Sequence, residues 1–471
     1  MRQLLALVVT RFLVRLLRLF GRGATSLPGK AALALDSRIV RNLASGLDIL
    51  CVTGTNGKTT TTLIIGNMLK EAGIPYFSNR SGSNLLQGIA AVLAENAALR
   101  GDFRVKVALL EVDEAAFDPV CDHLKPRVVV VTNFFRDQLD RYGELYSTLD
   151  AVRRGIRRLG SETTLVLNAD DSLCASLAAD AKGPVLLYGV EAEAAGIPDD
   201  SVNTDAMHCI RCKERYQYHY RTYGHLGGYN CPGCGYHRPE PDIACVSAVP
   251  PDTEPDGKPD ENADKGARWL FRFPPGREDT VRPALPGLYN VYNSLAAAAC
   301  GHALGLPAKA IRDGLAGFRS GFGRMETIPI DGRLLRIILV KNPAGFNQVL
   351  ELLKPSKEGM ALCLVLNDRI ADGRDVSWIW DVDFESFRAA PGSLSLLAVA
   401  GDRCGDMALR LKYAGFDLSA LQTSGDAGPL LLPLLSSLPE GGCLYLLPTY
   451  TAMLSLRRYL ERKLHLRRFW Q

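Results

Sequence analysis

The chain lacks any uninterrupted apolar run long enough to cross a bilayer. Its most apolar stretch, near the N-terminus, is broken by Arg11, Arg15, Arg18 and Arg22, which argues against a membrane-spanning helix. That stretch also has no small-residue cleavage site leading into a disulfide-type domain, so it does not read as a signal peptide. Charge of one sign is not in excess: a net charge of +4 over 471 residues does not by itself argue for a polyanion partner. No internal repeat is present. Twelve cysteines are too few for a disulfide scaffold in a chain this long, and eight of them stand singly in apolar or mixed segments, as reduced cytosolic thiols do.

What is present is the composition of an ordinary globular protein of two or three domains. Residues 1–45 form a lead-in whose first part reads as an amphipathic helix. Leu4, Leu5, Val8, Phe12, Leu16, Leu19 and Phe20 surround a basic stripe of Arg11, Arg15, Arg18 and Arg22. Two readings stay open: a helix packed on the body of the protein, or one lying on an anionic membrane surface. The basic run Arg457 to Arg468 reads as a solvated helix face.

The most informative segment is Cys51-Val-Thr-Gly-Thr-Asn-Gly-Lys-Thr-Thr60. An apolar strand (Leu47, Ile49, Leu50, Val52) leads into a glycine turn, and a helical pattern runs from Thr60 to Glu71. Gly54 and Gly57 permit a tight turn that aims backbone N–H groups at an anion. The helix N-terminus adds its dipole, and Lys58 supplies a charge for the β/γ-phosphates. Gly54, Thr55, Asn56, Gly57, Lys58, Thr59 and Thr60 are therefore the candidate phosphate cradle, with Thr59 placed to hold Mg²⁺. Val52 stands where a full P-loop has its first glycine, so the loop is a shortened variant.

A second cluster comprises Cys209-Ile-Arg-Cys212 and Cys231-Pro-Gly-Cys234, two CxxC knuckles eighteen residues apart. This spacing converges four thiolates on one Zn²⁺. A full Cys₄ set leaves no position for a catalytic water, so a structural zinc ribbon over residues 205–240 is expected. The intervening segment, with Tyr216, Tyr218, Tyr220, Tyr223 and Tyr229, is too short and polar for a core, and metal binding would supply most of its folding energy, on the order of 10 kcal/mol. His208, His219, His225 and His237 lie nearby as substitute ligands. Basic residues around the ribbon (Arg211, Lys213, Arg215, Arg221) also suit nucleic acid, without further support from composition.

Apolar runs at Val105–Glu111, Val128–Asn133 and Thr164–Asn168 alternate with helical patterns, as in a parallel sheet with ligands at the strands' carboxyl ends. Residues 250–266 are rich in Pro and acidic residues and read as a loop beside an inserted ribbon. A turn at Gly287-Leu-Tyr-Asn290-Val-Tyr-Asn293 opens an Ala-rich helix running to about Leu304. From Gly323-Arg324-Met-Glu326 a second alternating region begins, with strands at Arg333–Val340, Ala361–Leu366, Leu394–Val399 and Cys443–Leu447. The expected class is α/β: a central parallel-sheet ATPase domain over residues 46–318 carrying the ribbon, and a C-terminal α/β domain over residues 319–471.

With the phosphate loop, Glu111, the segment Asn133 to Gly143, Asn290/Asn293 and Gly-Arg324-Met-Glu in this order, the chain resembles the Mur ligase family over almost its whole length. These are ATP-dependent ligases that join a carboxylate to an amine through an acyl phosphate. The resemblance implies that Lys58 and Thr59 bind ATP and Mg²⁺, that Glu111 binds Mg²⁺, that Asn290 and Asn293 approach adenine, and that Arg324 reaches the nucleotide. Two departures argue against a second metal held in the family's usual way. Gln138 replaces a metal-binding His in Asp137-Gln138-Leu-Asp140, and the following helix offers Arg153, Arg154 and Arg157 but no lysine to be carbamylated.

These departures, the four cysteines, Arg80-Ser-Gly-Ser-Asn84, Lys341-Asn-Pro-Ala-Gly345 and the segment Asn367 to Asp381 resemble the MurT branch, subunits of lipid II isoglutaminyl synthase. The resemblance implies amidation of the D-glutamate α-carboxylate of the lipid II stem peptide to D-isoglutamine, with lipid II as substrate, in the cytoplasm, with a place at the inner face of the membrane left open. No cysteine sits in a strand-turn-helix elbow with a His partner, so a partner must release the ammonia. The resemblance implies a GatD-type glutamine amidotransferase subunit bound to the C-terminal domain, which contributes a carboxylate to the partner's triad. Asp375 is the first choice for that carboxylate and Asp372 the second, with Asp368 and Asp381 also in the set; each also reads as a turn or helix cap. The alternatives are a Mur-type or folylpolyglutamate-type ligase that adds an amino acid directly, and a non-catalytic module that binds nucleic acid through the ribbon.

Overall fold

Uninterrupted apolar runs belong to strands covered on both faces, and in this chain they lie side by side in two mainly parallel sheets. The computed structural model describes residues 2–19, 26–79, 83–137, 145–195, 205–249, 267–318, 324–356 and 358–464. Arg80, Gln138, Asp140, the segment 250–266 and the arginines beyond residue 464, all singled out from the sequence, lie outside the described residues. The chain divides into two compact units, residues 1–135 with 145–318, and residues 136–144 with 319–471.

In the first unit, β1 (Asp48–Thr53), β2 (Tyr76–Ser78), β3 (Val107–Glu111), β4 (Val128–Val131), β5 (Thr164–Asn168) and β6 (Val185–Val190) are joined by helices. A short hairpin of β7 (Gln217–Arg221) and β8 (Gly227–Asn230) intervenes before β9 (Ile243–Val249), β10 (Arg268–Phe273) and β11 (Arg277–Val281). The nine-stranded sheet runs β11-β10-β9-β6-β5-β4-β1-β3-β2, with β10 and β11 antiparallel to their neighbours and the rest parallel.

Helices cover both faces. The helix Lys58–Glu71 packs against Leu288–Ala303 and Ala308–Ala316, so closely that a Cβ on Gly314 would lie 2.5 Å from Met68 Cγ. On another face Leu86–Asn96, Glu114–Cys121 and Leu145–Arg158 share one core with β1 and β3. The N-terminal residues read as a lead-in enter that same core through Ala6, Leu7, Ala32, Ile39 and Leu43.

In the second unit, β12 (Arg324–Ile330), β13 (Arg333–Ile338), β14 (Ala361–Val365), β15 (Leu396–Ala400), β16 (Gln422–Ser424) and β17 (Cys443–Pro448) form a sheet of order β12-β13-β17-β14-β15-β16. Only β12 is antiparallel, and an apolar core lies on each side. The helix Tyr450–Leu464 carries the start of the basic run read as solvated. Arg457 is instead largely buried, with its Nη1 3.1 Å from Glu326 Oε1.

Candidate active site and metal centre

β1 lies between β3 and β4, so the chain leaves it toward one edge of the sheet and later returns on its other side. Such a switch point opens a crevice at the strand's carboxyl end, and the loop 54–57 occupies it. Gly54 has φ +117° and Gly57 φ +85°, conformations that disfavour a side chain. The space is closed as well. A Cβ on Gly54 would lie 2.3 Å from Thr132 Oγ1, and one on Gly57 would lie 2.0 Å from Asn293 Oδ1.

Polar residues at the end of β4 hold this loop. Thr55 N–H donates to Asn133 O (2.8 Å), Asn56 N–H to Asn133 Oδ1 (2.9 Å), and Thr132 Oγ1 to Asn56 O (2.7 Å). The helix beginning at Lys58 has no side-chain cap, which suits an anion at its N-terminus. Thr59 Oγ1 donates to Glu111 Oε2 at 2.7 Å, bringing together the two residues expected at the metal. Glu111 in turn is fixed by Asn79, whose amide bonds both its N–H and its C=O at 2.8 Å. Asn293 sits beside Gly57 and donates to Asn290 Oδ1 (3.1 Å), while Asn290 Nδ2 donates to Pro286 O (2.7 Å).

Glu114, which the sequence reading did not single out, completes the site. Lys58 Nζ is buried and donates to Glu114 Oε2 (2.7 Å), Gly54 O (2.5 Å) and Thr55 O (3.3 Å). Burial works against its charge, but the carboxylates of Glu114, Asp113 and Glu111 outweigh that, and its pKa is raised. The available signal was Glu114's position three residues past Glu111, which returns it to the phosphate loop at the start of the next helix.

The four cysteines come together: their Sγ atoms all lie within 4.8 Å of one another, with Cys209–Cys234 at 3.5 Å and Cys212–Cys231 at 3.3 Å. Each knuckle turns through a left-handed residue just after its second cysteine, Lys213 (φ +68°) and Gly235 (φ +71°). Burial raises the Cys209 thiol, but N–H groups of Cys212 and Arg211 hold it down at about 6. None of the nearby histidines joins this group among the described residues; His225 is fully buried with Nε2 3.3 Å from Asp171 Oδ1.

The expectation of a ribbon without a core needs amending. Tyr216, Tyr229 and Tyr236 pack on one another beside Cys209 and Cys231; the Tyr216 hydroxyl accepts from Ile210 N–H (3.3 Å), and the three rings supply the apolar area of a small core. The segment 205–240 is also tied to the rest of its unit. Tyr236 OH donates to Ser172 O (2.9 Å), Tyr220 OH to Val190 O (2.7 Å), and Arg238 Nε to Asp170 Oδ1 (2.6 Å). Tyr292 OH donates to the same buried carboxylate at 2.5 Å.

In the second unit the loop after β14 separates the first- and second-choice aspartates. Asp372 is buried, bonded to the N–H of Thr451 (2.7 Å) and to its hydroxyl, and burial raises its pKa. Asp375 is exposed; it accepts from Ser377 N–H (2.8 Å), and the Ser377 hydroxyl and N–H lower its pKa. Asp368 pairs with Arg403 (3.2 Å) and Asp381 lies 3.5 Å from Arg136. Lys341 Nζ donates to Asp137 Oδ2 at 2.6 Å. Arg324 begins β12.

Comparison with known proteins decides the family. Residues 52–232 match the Mur ligase middle domain and residues 339–453 the MurT ligase C-terminal domain. The MurT subunit of lipid II isoglutaminyl synthase (glutamine-hydrolyzing) from Streptococcus pneumoniae is 35% identical over 94% of this chain and 93% of its own length. The chain belongs to the MurT family. The corresponding subunit of Staphylococcus aureus strain COL is 32% identical over 88% of each chain. A solved MurF from Acinetobacter baumannii, 19% identical, superposes with a TM-score of 0.65 over 92% of this chain and 80% of its own, and shares the fold. This MurT-family chain is thus an ATP-dependent ligase with a Mur ligase-like α/β fold. The middle-domain match takes in the phosphate loop, Glu111, Glu114 and three of the four cysteines, and the C-terminal match takes in Lys341 and the segment 367–381.

Proposed function

We propose that this chain amidates the D-glutamate α-carboxylate of the lipid II stem peptide to D-isoglutamine, using ATP and ammonia released by a GatD-type glutaminase subunit. The observation that carries the reading is MurT similarity along nearly the whole chain, joined to a phosphate loop at a sheet switch point where Lys58, Thr59 and Glu111 converge. A carboxylate oxygen attacks the γ-phosphorus and ADP leaves; ammonia then attacks the acyl carbon, phosphate leaves and a proton is lost. The first step brings two anions together, so positive charge must face the phosphoryl oxygens.

Lys58 and the N–H groups of residues 54–60 supply that charge, with Lys58 exchanging Glu114 for phosphate. Thr59 and Glu111 would hold Mg²⁺, which when bound neutralises phosphoryl oxygens. Asn290 and Asn293 would face the adenine, and the family resemblance assigns nucleotide binding to Arg324 as well. The cysteine cluster fits a structural Zn²⁺: thiolates about 2.3 Å from a tetrahedral metal stand about 3.8 Å apart, near the spacing found. Residues 46–318 are assigned to nucleotide binding, and residues 319–471 to the glutaminase. Asp375, exposed, suits a carboxylate offered to a partner's imidazole; Asp372, committed to Thr451, suits support of the loop. The reaction then belongs at the cytoplasmic face of the membrane.

The purified chain with its glutaminase subunit, given lipid II, Mg²⁺ and ATP, should release ADP and amidated product with glutamine or with ammonium. Product formed with an amino acid and never with ammonium would replace amidation by direct amino-acid ligation.

A further inference from the structure

The helix Arg2–Leu19 is apolar on two opposite faces. One face packs inward through Ala6, Leu7, Thr10 and Val14. The other carries Leu4, Leu5, Val8, Phe12, Leu16 and Leu19, which are 49, 53, 48, 63, 37 and 83% exposed. From Leu5 onward these recur at intervals of three to four residues, and from Leu4 to Leu19 they form a continuous stripe about 23 Å long. Single exposed leucines are ordinary, but a contiguous stripe of this size marks an interaction surface.

Charge identifies the occupant. The helix contains no Asp or Glu, and its only charged residues are arginines. Arg15 is exposed within the stripe, Arg2 is exposed at its start, and Arg11 flanks it with Nε tied to Ala94 O at 3.0 Å. Two copies packed stripe to stripe would juxtapose like charges in a desolvated contact. No described helix is long and apolar enough to cross a membrane. An apolar stripe on a helix whose own charges are all positive instead matches a helix lying in the plane of an anionic bilayer.

We propose that Arg2–Leu19 is a peripheral membrane anchor, with Phe12 and its neighbouring leucines in the acyl boundary and Arg2 and Arg15 among anionic headgroups. This binding requires neither ATP nor the amidation chemistry, so its failure leaves the functional reading untouched.

The test is flotation of the full chain, bound to its glutaminase subunit, with vesicles of phosphatidylglycerol and phosphatidylcholine or of phosphatidylcholine alone. The wild type should float with the anionic vesicles. Phe12→Asp with Leu16→Asp should weaken partition at least about tenfold. Arg15→Glu should weaken it about fivefold on anionic vesicles only, and added salt should mimic that change. Unaltered thermal unfolding and unaltered turnover of a short-chain, water-soluble substrate would show that the variants are folded. The proposal is overturned if the wild type stays with the unbound protein, or if the double variant floats equally. A solution dimer that the double variant converts to monomer would assign the stripe to a second copy instead.

Discussion

Alanine at Gly54 should uncouple nucleotide binding from folding, and Gly73 provides its control. Both glycines have positive φ, +117° and +70°, so alanine at either costs about 1–2 kcal/mol of backbone strain. At Gly73 nothing lies within 4 Å of an added Cβ, and the strain is the whole effect. At Gly54 the Cβ would also stand 2.3 Å from Thr132 Oγ1, 2.9 Å from Thr132 N and 3.0 Å from Asn133 N. Two of these are backbone atoms of the segment that follows β4 and cannot swing aside.

The displacement loosens two hydrogen bonds that shape the loop, Thr132 N–H to Thr53 O (3.0 Å) and Thr55 N–H to Asn133 O (2.8 Å). At roughly 1 kcal/mol each, the loop loses about 2 kcal/mol beyond the control. Concentrated at the phosphate cradle, that is on the order of 30-fold in nucleotide affinity. Titration calorimetry with ADP and Mg²⁺ should show Gly73→Ala binding like the wild type and Gly54→Ala binding far more weakly. Equal affinity in the two variants would refute the claim that residues 54–59 contact the phosphates.

Lys58→Met should abolish ATP consumption and remove the cation that stands 2.7 Å from buried Glu114, costing about 3 kcal/mol of stability; adding Glu114→Gln should restore much of the urea midpoint without restoring turnover. Asp375→Asn should suppress glutamine-dependent amidation while sparing the ammonium-dependent reaction; loss of both would remove it from the partner's triad. Asp372→Asn should instead lower the thermal midpoint, since the carboxylate accepts from the Thr451 N–H and hydroxyl. Glu385 accepts two 2.7 Å bonds from buried Arg410, which lower its pKa. A lowered carboxylate pKa stabilises above the unfolded value, about 4.3, and that contribution fades as pH falls through the folded value. The urea midpoints of wild type and Glu385→Gln should therefore differ at neutral pH and converge in acid.

Strands buried on both faces were legible, because an uninterrupted apolar run carries its own boundaries. β3, β4, β5, β13, β14, β15 and β17 all fall within or close to the runs read from sequence. β2 and β16, three residues each, and the half-buried β7 to β11 were not legible, since neither period nor length separates such segments from loops. The glycine turn at residues 54–57 was legible because its signal is local: glycines, lysine and threonine lie within six consecutive residues between a strand and a helix. Glu114, the packing of the tyrosines beside the cysteines and the burial of Asp170 were not. Their partners are 56, 64 and 122 positions away (Lys58, Ser172 and Tyr292).

By itself, then, the sequence determined the local features: a glycine-lysine-threonine turn between a strand and a helix, a four-cysteine cluster and a chain built of alternating strands and helices. These depend on residue type and near spacing, which the covalent chain sets directly. Only the tertiary structure decided which carboxylate holds Lys58, which aspartate after β14 is exposed, and which face of the first helix is left in water. Each of those depends on what crosses over from distant parts of the chain to exclude solvent, and burial is a property of the packed assembly rather than of any segment.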